Sequence, residues 1–263
     1  MKIIVCMKQV PAGTTAEIDP ETGAMKRSSA ATRTNPYDLF ALETAIRIRE
    51  QVGGTVTALT MGPAQAEEMM KDAYAMGADD AVILSDRKFA GSDVLATAFT
   101  LSQGIALLGG CDLILCGRQT TDGDTAQVGP ALAEYLGIPH AAWVAEITGV
   151  SETSISVRQD LVSVSQESEL LLPCLITVDK DINVPRLPSY RLKKATEARP
   201  VKIFSYKDMP EQDMSKFGLL GSPTNVVEMF TPKPAEKQVE IPGSNGSEQA
   251  QALFDILTAK KII

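Results

Sequence analysis

The chain has 263 residues, 44% of them hydrophobic, with 25 Lys and Arg against 33 Asp and Glu and a single histidine, His140. That length and apolar fraction suffice for one large domain or a domain with an appendage, while the net charge of −8 argues against general binding to nucleic acid or anionic membranes. One histidine excludes metal sites built from two or more imidazoles, and His140, in a Gly-Ile-Pro-His turn, reads as structural rather than catalytic.

The opening run at residues 2–7 is short, apolar and β-rich. It is too short for the core of a signal peptide, and no run in the chain approaches a membrane span, so a cytoplasmic location is expected. A long polar loop follows, then a helix over 38–51 with Leu39, Leu42 and Ile46 at helical spacing. A strand at 55–61 is stopped by Gly62-Pro63, a helix at 64–76 by Gly77, and a fully apolar strand is expected at 81–84. The clearest helix carries Val94, Ala98, Leu101, Ile105 and Leu108 at offsets of four and three. A buried strand at 113–116 and a helix at 125–136 complete the alternation. Continuous apolar strands alternating with amphipathic helices predict a parallel sheet covered on both faces. Cys6, Cys111, Cys116 and Cys174 show no C-x-x-C spacing, and the expectation is buried free thiols of a reducing compartment.

Beyond Ala141 the composition turns to Val, Ile, Ser and Thr. Strands are expected at 154–158, 162–165 and 170–178, in antiparallel arrangement. After Asn183, prolines break up the chain, and only 247–260 reads as a firm amphipathic helix. Such a segment cannot build its own core and must lie along its own domain or a partner. Between Arg186 and Lys207 stand seven basic residues and one acid, Glu197, so the remainder of the chain is strongly acidic.

Chemistry is most concentrated between Leu113 and Pro130. An apolar strand ends at Cys116, a loop with Gly117 and Gly123 follows, and a helix is expected to start near Thr125 with Asp124 as its cap. The free amides of Ala126, Gln127 and Val128 and the positive end of the helix dipole would suit a phosphate. Glycines at 117 and 123 would let backbone approach a ligand, and Arg118 would offset its charge. This is neither a Walker A loop nor G-x-G-x-x-G. Ligands of open parallel sheets gather outside the carboxyl ends of strands. Cys6 to Gln9, Met61 to Pro63 and residues 85–93 occupy such ends, and with Asn35, Pro36, Tyr37 and Asp38 they can frame an adenosine. Met61 would supply an apolar wall and Asp38 an acceptor for a ribose hydroxyl.

Val5-Cys-Met-Lys-Gln-Val-Pro11, Asn35-Pro-Tyr-Asp38, Met61-Gly-Pro63, Met76-Gly-Ala-Asp79, Gly117-Arg-Gln119 followed by Asp122-Gly-Asp-Thr-Ala-Gln-Val-Gly129, and Pro173-Cys-Leu-Ile-Thr-Val178 occur here in one order. This set resembles the β subunit of electron-transfer flavoproteins, from the first residue to the tail. The resemblance implies a Rossmann-like α/β fold: an adenine-nucleotide-binding parallel sheet with helices on both faces, added antiparallel strands and an extended C-terminal arm. On that basis residues 1–190 form the nucleotide domain, and 191–263 form an arm that ends in a helix and packs on an α subunit carrying FAD. The AMP part of a nucleotide is then expected on Cys6, Met7, Asn35, Tyr37, Asp38, Met61, Cys116, Gly117, Arg118, Gln119, Asp122, Gly123, Asp124, Thr125, Ala126, Gln127 and Val128.

Residues 86–97 resemble the Phe-x-Gly-x-Asp-x-x-Ala-Thr segment of the electron-bifurcating group, and Gly221-Ser-Pro-Thr224 is also similar to that group. In that group the β-subunit site holds a second FAD, which takes a hydride from NADH. One electron goes to ferredoxin or flavodoxin and the other to an acyl-CoA dehydrogenase-like partner. Phe89, Asp93 and Thr97 are then expected to meet the longer cofactor, Asp93 and Thr97 facing one side of a helix start. The housekeeping form would hold AMP with no redox role, and a stand-alone nucleotide sensor of the universal-stress type is a third reading. The family's basic-x-x-acidic-Gly-Gly signature is degenerate here, since Arg158-Gln-Asp160 is followed by Leu-Val-Ser. A partner-anchoring loop falls on Leu187 and Tyr190. No catalytic side chain and no metal are expected, because a flavin carries the redox chemistry itself.

Overall fold

The computed structural model describes residues 1–13, 32–161, 163–227 and 240–263. The long polar loop expected before the first helix lies largely outside these. The chain divides into two compact units, Met1–Val227 and Glu228–Ile263, taken separately below.

In the first unit the strands are β1 (Lys2–Cys6), β2 (Gln9–Pro11), β3 (Thr32–Thr34), β4 (Thr55–Met61), β5 (Asp80–Leu84), β6 (Leu113–Gly117), β7 (His140–Val150), β8 (Ser154–Asp160), β9 (Ser165–Leu171), β10 (Cys174–Val178) and β11 (Lys202–Phe204). The helices are α1 (Pro36–Val52), α2 (Glu67–Met76), α3 (Val94–Leu107), α4 (Val128–Leu136) and α5 (Tyr190–Ala195). Nine strands form one sheet in the order β11-β5-β4-β1-β6-β10-β7-β8-β9, and β2 and β3 make a separate antiparallel pair. β11 through β7 run parallel, whereas β7, β8 and β9 meander antiparallel at one edge.

Alternation along the central strands explains why they read as continuously apolar. Ile3 and Val5 join α1 and α2 residues such as Leu42, Ile46, Met70 and Tyr74 in one core. Ile4 and Cys6 point the other way, into a second core with Phe99, Ile105 and Leu132 of α3 and α4. Each central strand thus buries both faces, as a parallel sheet clad by helices requires. The chain runs outward from β1 through β4 to β5 and then crosses back to β6. β1 and β6 therefore flank the point where the strand order reverses, with Cys6 and Cys116 as register partners.

Three boundaries differ from expectation. The helix expected from Thr125 begins at Val128, because Asp124 (φ 52°) and Ala126 (φ 54°) adopt left-handed backbone incompatible with a helix start; Gln127, not Asp124, precedes its first turn. The strand expected over 170–178 is two strands: Pro173 has no N–H to continue a ladder, and the chain passes there from pairing with β8 to pairing with β6. The strand expected at 162–165 falls on the turn between β8 and β9, where Leu161 and Val164 exchange backbone hydrogen bonds; Val162 is outside the described residues. His140 is exposed and opens β7.

Residues 191–227, expected in the arm, run back over the first unit. Lys202–Phe204 pairs with β5, and Tyr206, Met209 and Phe217 enter the second core. In the second unit, α6 (Gly246–Ala259) is capped by Asn245, whose Oδ1 accepts from Ser247 N and Glu248 N. Among the described residues no helix is long and apolar enough to cross a membrane.

Candidate nucleotide site

The carboxyl ends of β1, β4 and β6 open onto one corner. Met7 N donates to Leu59 O at 2.8 Å, and Asn35 N donates to Lys8 O at 2.9 Å, so the segment after β1 and the start of α1 are fixed together. Pro36 at the first helical position presets φ there. Asn35 is fully buried; its Nδ2 donates to Asp38 Oδ1 and to Gln119 O, both at 2.9 Å, and its Oδ1 accepts from Thr121 N at 3.3 Å. One side chain thereby fastens the loop after β6 to the start of α1, 84 residues away.

Gly117 shows how closely the two segments meet. A Cβ there would stand 2.5 Å from Asp38 Oδ1 and 2.6 Å from the Tyr37 carbonyl carbon. Gly129, in the first turn of α4, is pressed against Thr177 in the same way, at 2.5 Å. Between them, left-handed Ala126 is followed by Gln127 in the right-handed helical region (φ −114°, ψ −20°). Such a left–right pair turns successive N–H groups toward one point, forming an anion-binding nest at the positive end of α4. The amides of Thr125, Ala126 and Gln127 have no protein acceptor among the described residues. An orphan cradle of amides at a helix start suits a phosphate of a nucleotide cofactor.

Charge in the corner is unevenly held. Asp38, 4% exposed, is pushed up to about 7 by burial, against the opposing pull of Asn35, the Lys8 amide and ammonium, and the Gly117 amide. Cys6 is raised well above the usual thiol range by its hydrogen bond with Cys116 and by burial, which makes the Cys6 thiol unreactive. Arg118, expected to offset ligand charge, is engaged elsewhere: its Nη1 donates to Asp179 Oδ2 at 2.6 Å, and its guanidinium lies 4.2 Å from the ring centroid of Trp143. Its Nε is buried without a partner among the described residues. Trp143 itself sits at φ 59°, held by a bond from its N–H to Thr177 Oγ1 at 2.9 Å beside an irregularity between β7 and β10.

The segment 89–97 lies at the start of α3. Asp93 caps that helix, Oδ1 accepting from Leu95 N at 2.9 Å and Ala96 N at 3.1 Å. Its Oδ2 accepts from Thr224 Oγ1 at 2.8 Å and Thr224 N at 3.1 Å, while Asp93 N donates to Ser222 Oγ. Phe89 is buried and its ring centroid is 5.6 Å from that of Phe217. Residues 89–97 and 221–224, singled out separately in the sequence, are thus one structural unit across 131 residues. Thr97 is half-buried one turn into α3, and Met61 is half-buried at the end of β4. Of the remaining expected residues, Gln119 donates to Asp124 Oδ1 at 2.6 Å, Asp122 pairs with Lys8, and Thr125 and Gln127 are exposed. Sequence reasoning placed Lys8 in a strand-end segment without giving it a role, and passed over Asp179 and Trp143 as site residues; only the register of distant strands brings those two to this corner.

Residues 22–209 match the family model described as the electron transfer flavoprotein domain. The chain is 43% identical over 264 residues to the electron transfer flavoprotein subunit beta of Thermoanaerobacterium thermosaccharolyticum, covering all of both chains. It is 40% identical to the caffeyl-CoA reductase-Etf complex subunit CarD of Acetobacterium woodii and 40% identical to the acryloyl-CoA reductase electron transfer subunit gamma of Anaerotignum propionicum, again over the full length of each. With the family model matched over most of the chain's length and this likeness along the whole chain, the protein belongs to the electron transfer flavoprotein family, among its β subunits.

Proposed function

We propose that this chain is the FAD-binding β subunit of an electron-bifurcating complex. It accepts a hydride from NADH and passes one electron to ferredoxin or flavodoxin. The other passes through the FAD of an α subunit to an acyl-CoA dehydrogenase-like reductase. When bound, the flavin supplies both the two-electron and the one-electron chemistry; the protein binds, orients and excludes water. The amides of Ala126 to Val128 would hold a phosphate, while Gly117 and the buried Asp38 would fix the loop after β6 against the start of α1. What supports the bifurcating reading over one with AMP is the unit formed by Asp93 and 221–224, beside the reductase-complex names of two full-length relatives.

Docking of the reductase would fall on Leu187 and Tyr190, 87% and 76% exposed. Their segment is riveted to α1: Arg186 Nε donates to Glu43 Oε2 at 2.8 Å, and Asn183 Nδ2 donates to Thr44 Oγ1 at 2.7 Å. The cytoplasm, where reduced nicotinamide and ferredoxin are available, is the location this function requires.

The deciding measurement is chromatography of the nucleotides released from the purified αβ pair. Two FAD per pair and no AMP is the expected result. One FAD and one AMP would instead assign the housekeeping role.

A further inference from the structure

Two non-glycine residues in the loop between β6 and α4 keep left-handed backbone, Asp124 at φ 52° and Ala126 at φ 54°. Residues hold such conformations only where their surroundings impose them. Asn35 supplies one tie, to Gln119 and Thr121. The second comes from Lys8, whose Nζ lies 2.7 Å from both carboxylate oxygens of Asp122.

Lys8 is well placed to hold a loop because its own backbone is fixed. Its N–H donates to the buried Asp38 Oδ2 at 2.7 Å, and its carbonyl accepts from Asn35 N at 2.9 Å. Asp122 in turn organises its neighbours, Oδ1 also accepting from Gly123 N at 2.7 Å. Burial alone would raise the Asp122 carboxyl, yet the bonds from Lys8 and Thr120 hold it below the ordinary range, so it is charged at neutral pH.

We propose that Lys8 is a positioning residue of the nucleotide site: its ammonium grips Asp122 so that the amides of Ala126, Gln127 and Val128 converge on one phosphate. The inference rests on the nucleotide reading above and adds a residue that holds the loop rather than the ligand. With both Asp122 oxygens engaged, the ammonium is committed to the loop. The pair is partly solvated, with side chains 45% and 26% exposed, so its removal leaves the fold intact.

The test is titration of the full-length chain with AMP and with FAD, for wild type, Lys8→Met, Lys8→Arg, Asp122→Asn and the double variant Lys8→Met with Asp122→Asn. Lys8→Met is expected to weaken binding about tenfold, the scale of one coupling between contacting residues. Asp122→Asn should weaken it by a similar factor, the double variant no further, and Lys8→Arg should recover most of the loss. Independently of any ligand, hydrogen exchange of the bonded loop amides of Thr121, Gly123 and Asp124 should quicken in Lys8→Met. Wild-type affinity in Lys8→Met overturns the proposal. So does a loss in Lys8→Met without one in Asp122→Asn, or full additivity in the double variant, since either result puts Lys8 on the phosphate itself. A wild-type chain that binds neither nucleotide overturns the nucleotide reading and this proposal together, whereas normal wild-type binding with unaffected variants overturns this proposal alone.

Discussion

Gly117→Ala is expected to destabilise the first unit by about 2–3 kcal/mol, as overpacking at a closed contact does, lowering Tm by roughly 5–10 °C. The added Cβ has no free volume. It would stand 2.5 Å from Asp38 Oδ1, 2.6 Å from the Tyr37 carbonyl carbon and 2.7 Å from Tyr37 Cβ. Backbone and a buried carboxylate cannot swing aside as the end of a flexible side chain can, so β6 and the start of α1 must separate. That separation breaks the Asn35 bonds to Gln119 and Thr121, and retained nucleotide should fall to a small fraction of the wild-type amount. Gly62→Ala is the control: it lies after β4, separated from β6 by β1, where an added Cβ meets nothing within 4 Å. Its stability and nucleotide content should match wild type. Equal behaviour of the two variants in thermal melts and nucleotide extraction would remove the close approach from the account.

Without bound nucleotide, Asp38 should withdraw stability from the fold as pH rises from about 4 to about 7. Asp38 has a folded-state pKa near 7 against an ordinary value of 3.8, so the folded state binds more protons than the unfolded state across that window. A raised carboxyl pKa means that ionisation opposes folding, the reverse of the ordinary ion-paired aspartate. The full shift corresponds to an upper bound of about 4 kcal/mol, and relaxation around the carboxylate brings the expected change to roughly 2–3 kcal/mol. Denaturant midpoints for wild type and Asp38→Asn at pH 5 and pH 8 measure it. Subtracting the two variants cancels the other titrating groups. The asparagine variant should lose this part of the slope, and parallel pH dependence in both proteins would show that Asp38 titrates normally.

The alternating half of the fold was legible because each central strand buries two faces, which leaves runs such as Ile3 to Cys6 and Leu113 to Cys116 without a polar interruption. Patterns this strong need no knowledge of neighbours. The start of α4 was not legible for the opposite reason. Asp124-Thr125-Ala126-Gln127 has the local chemistry of a capped helix start, yet ties from Asn35 and Lys8 hold it in another conformation. Tertiary structure there overrides propensity. β11 is three residues long and exists through the edge of β5, so nothing in its own sequence marks it. In the site, the strand-end positions and the loop after β6 were identifiable from motif and spacing. The partners of Arg118, Asp179 and Trp143, were not legible because they reach it only through the register of β6, β10 and β7. Likewise, the bond from Thr224 to Asp93 spans 131 residues, so nothing near Asp93 in the sequence marks it.

Trp143 is the only tryptophan of the chain, and it lies against the guanidinium of Arg118, the residue that leads from β6 into the nucleotide loop. Tryptophan fluorescence of this subunit, excited to the red of tyrosine absorption, therefore comes from one indole at the rim of the corner. An isoalloxazine absorbs light in the region where indole emits, and resonance transfer reaches across a single domain; adenosine monophosphate is transparent there. Emission should be strongly quenched when the subunit carries FAD and nearly unchanged when it carries AMP. The protein thus contains its own optical probe of which nucleotide it holds, readable without opening the site or labelling the chain.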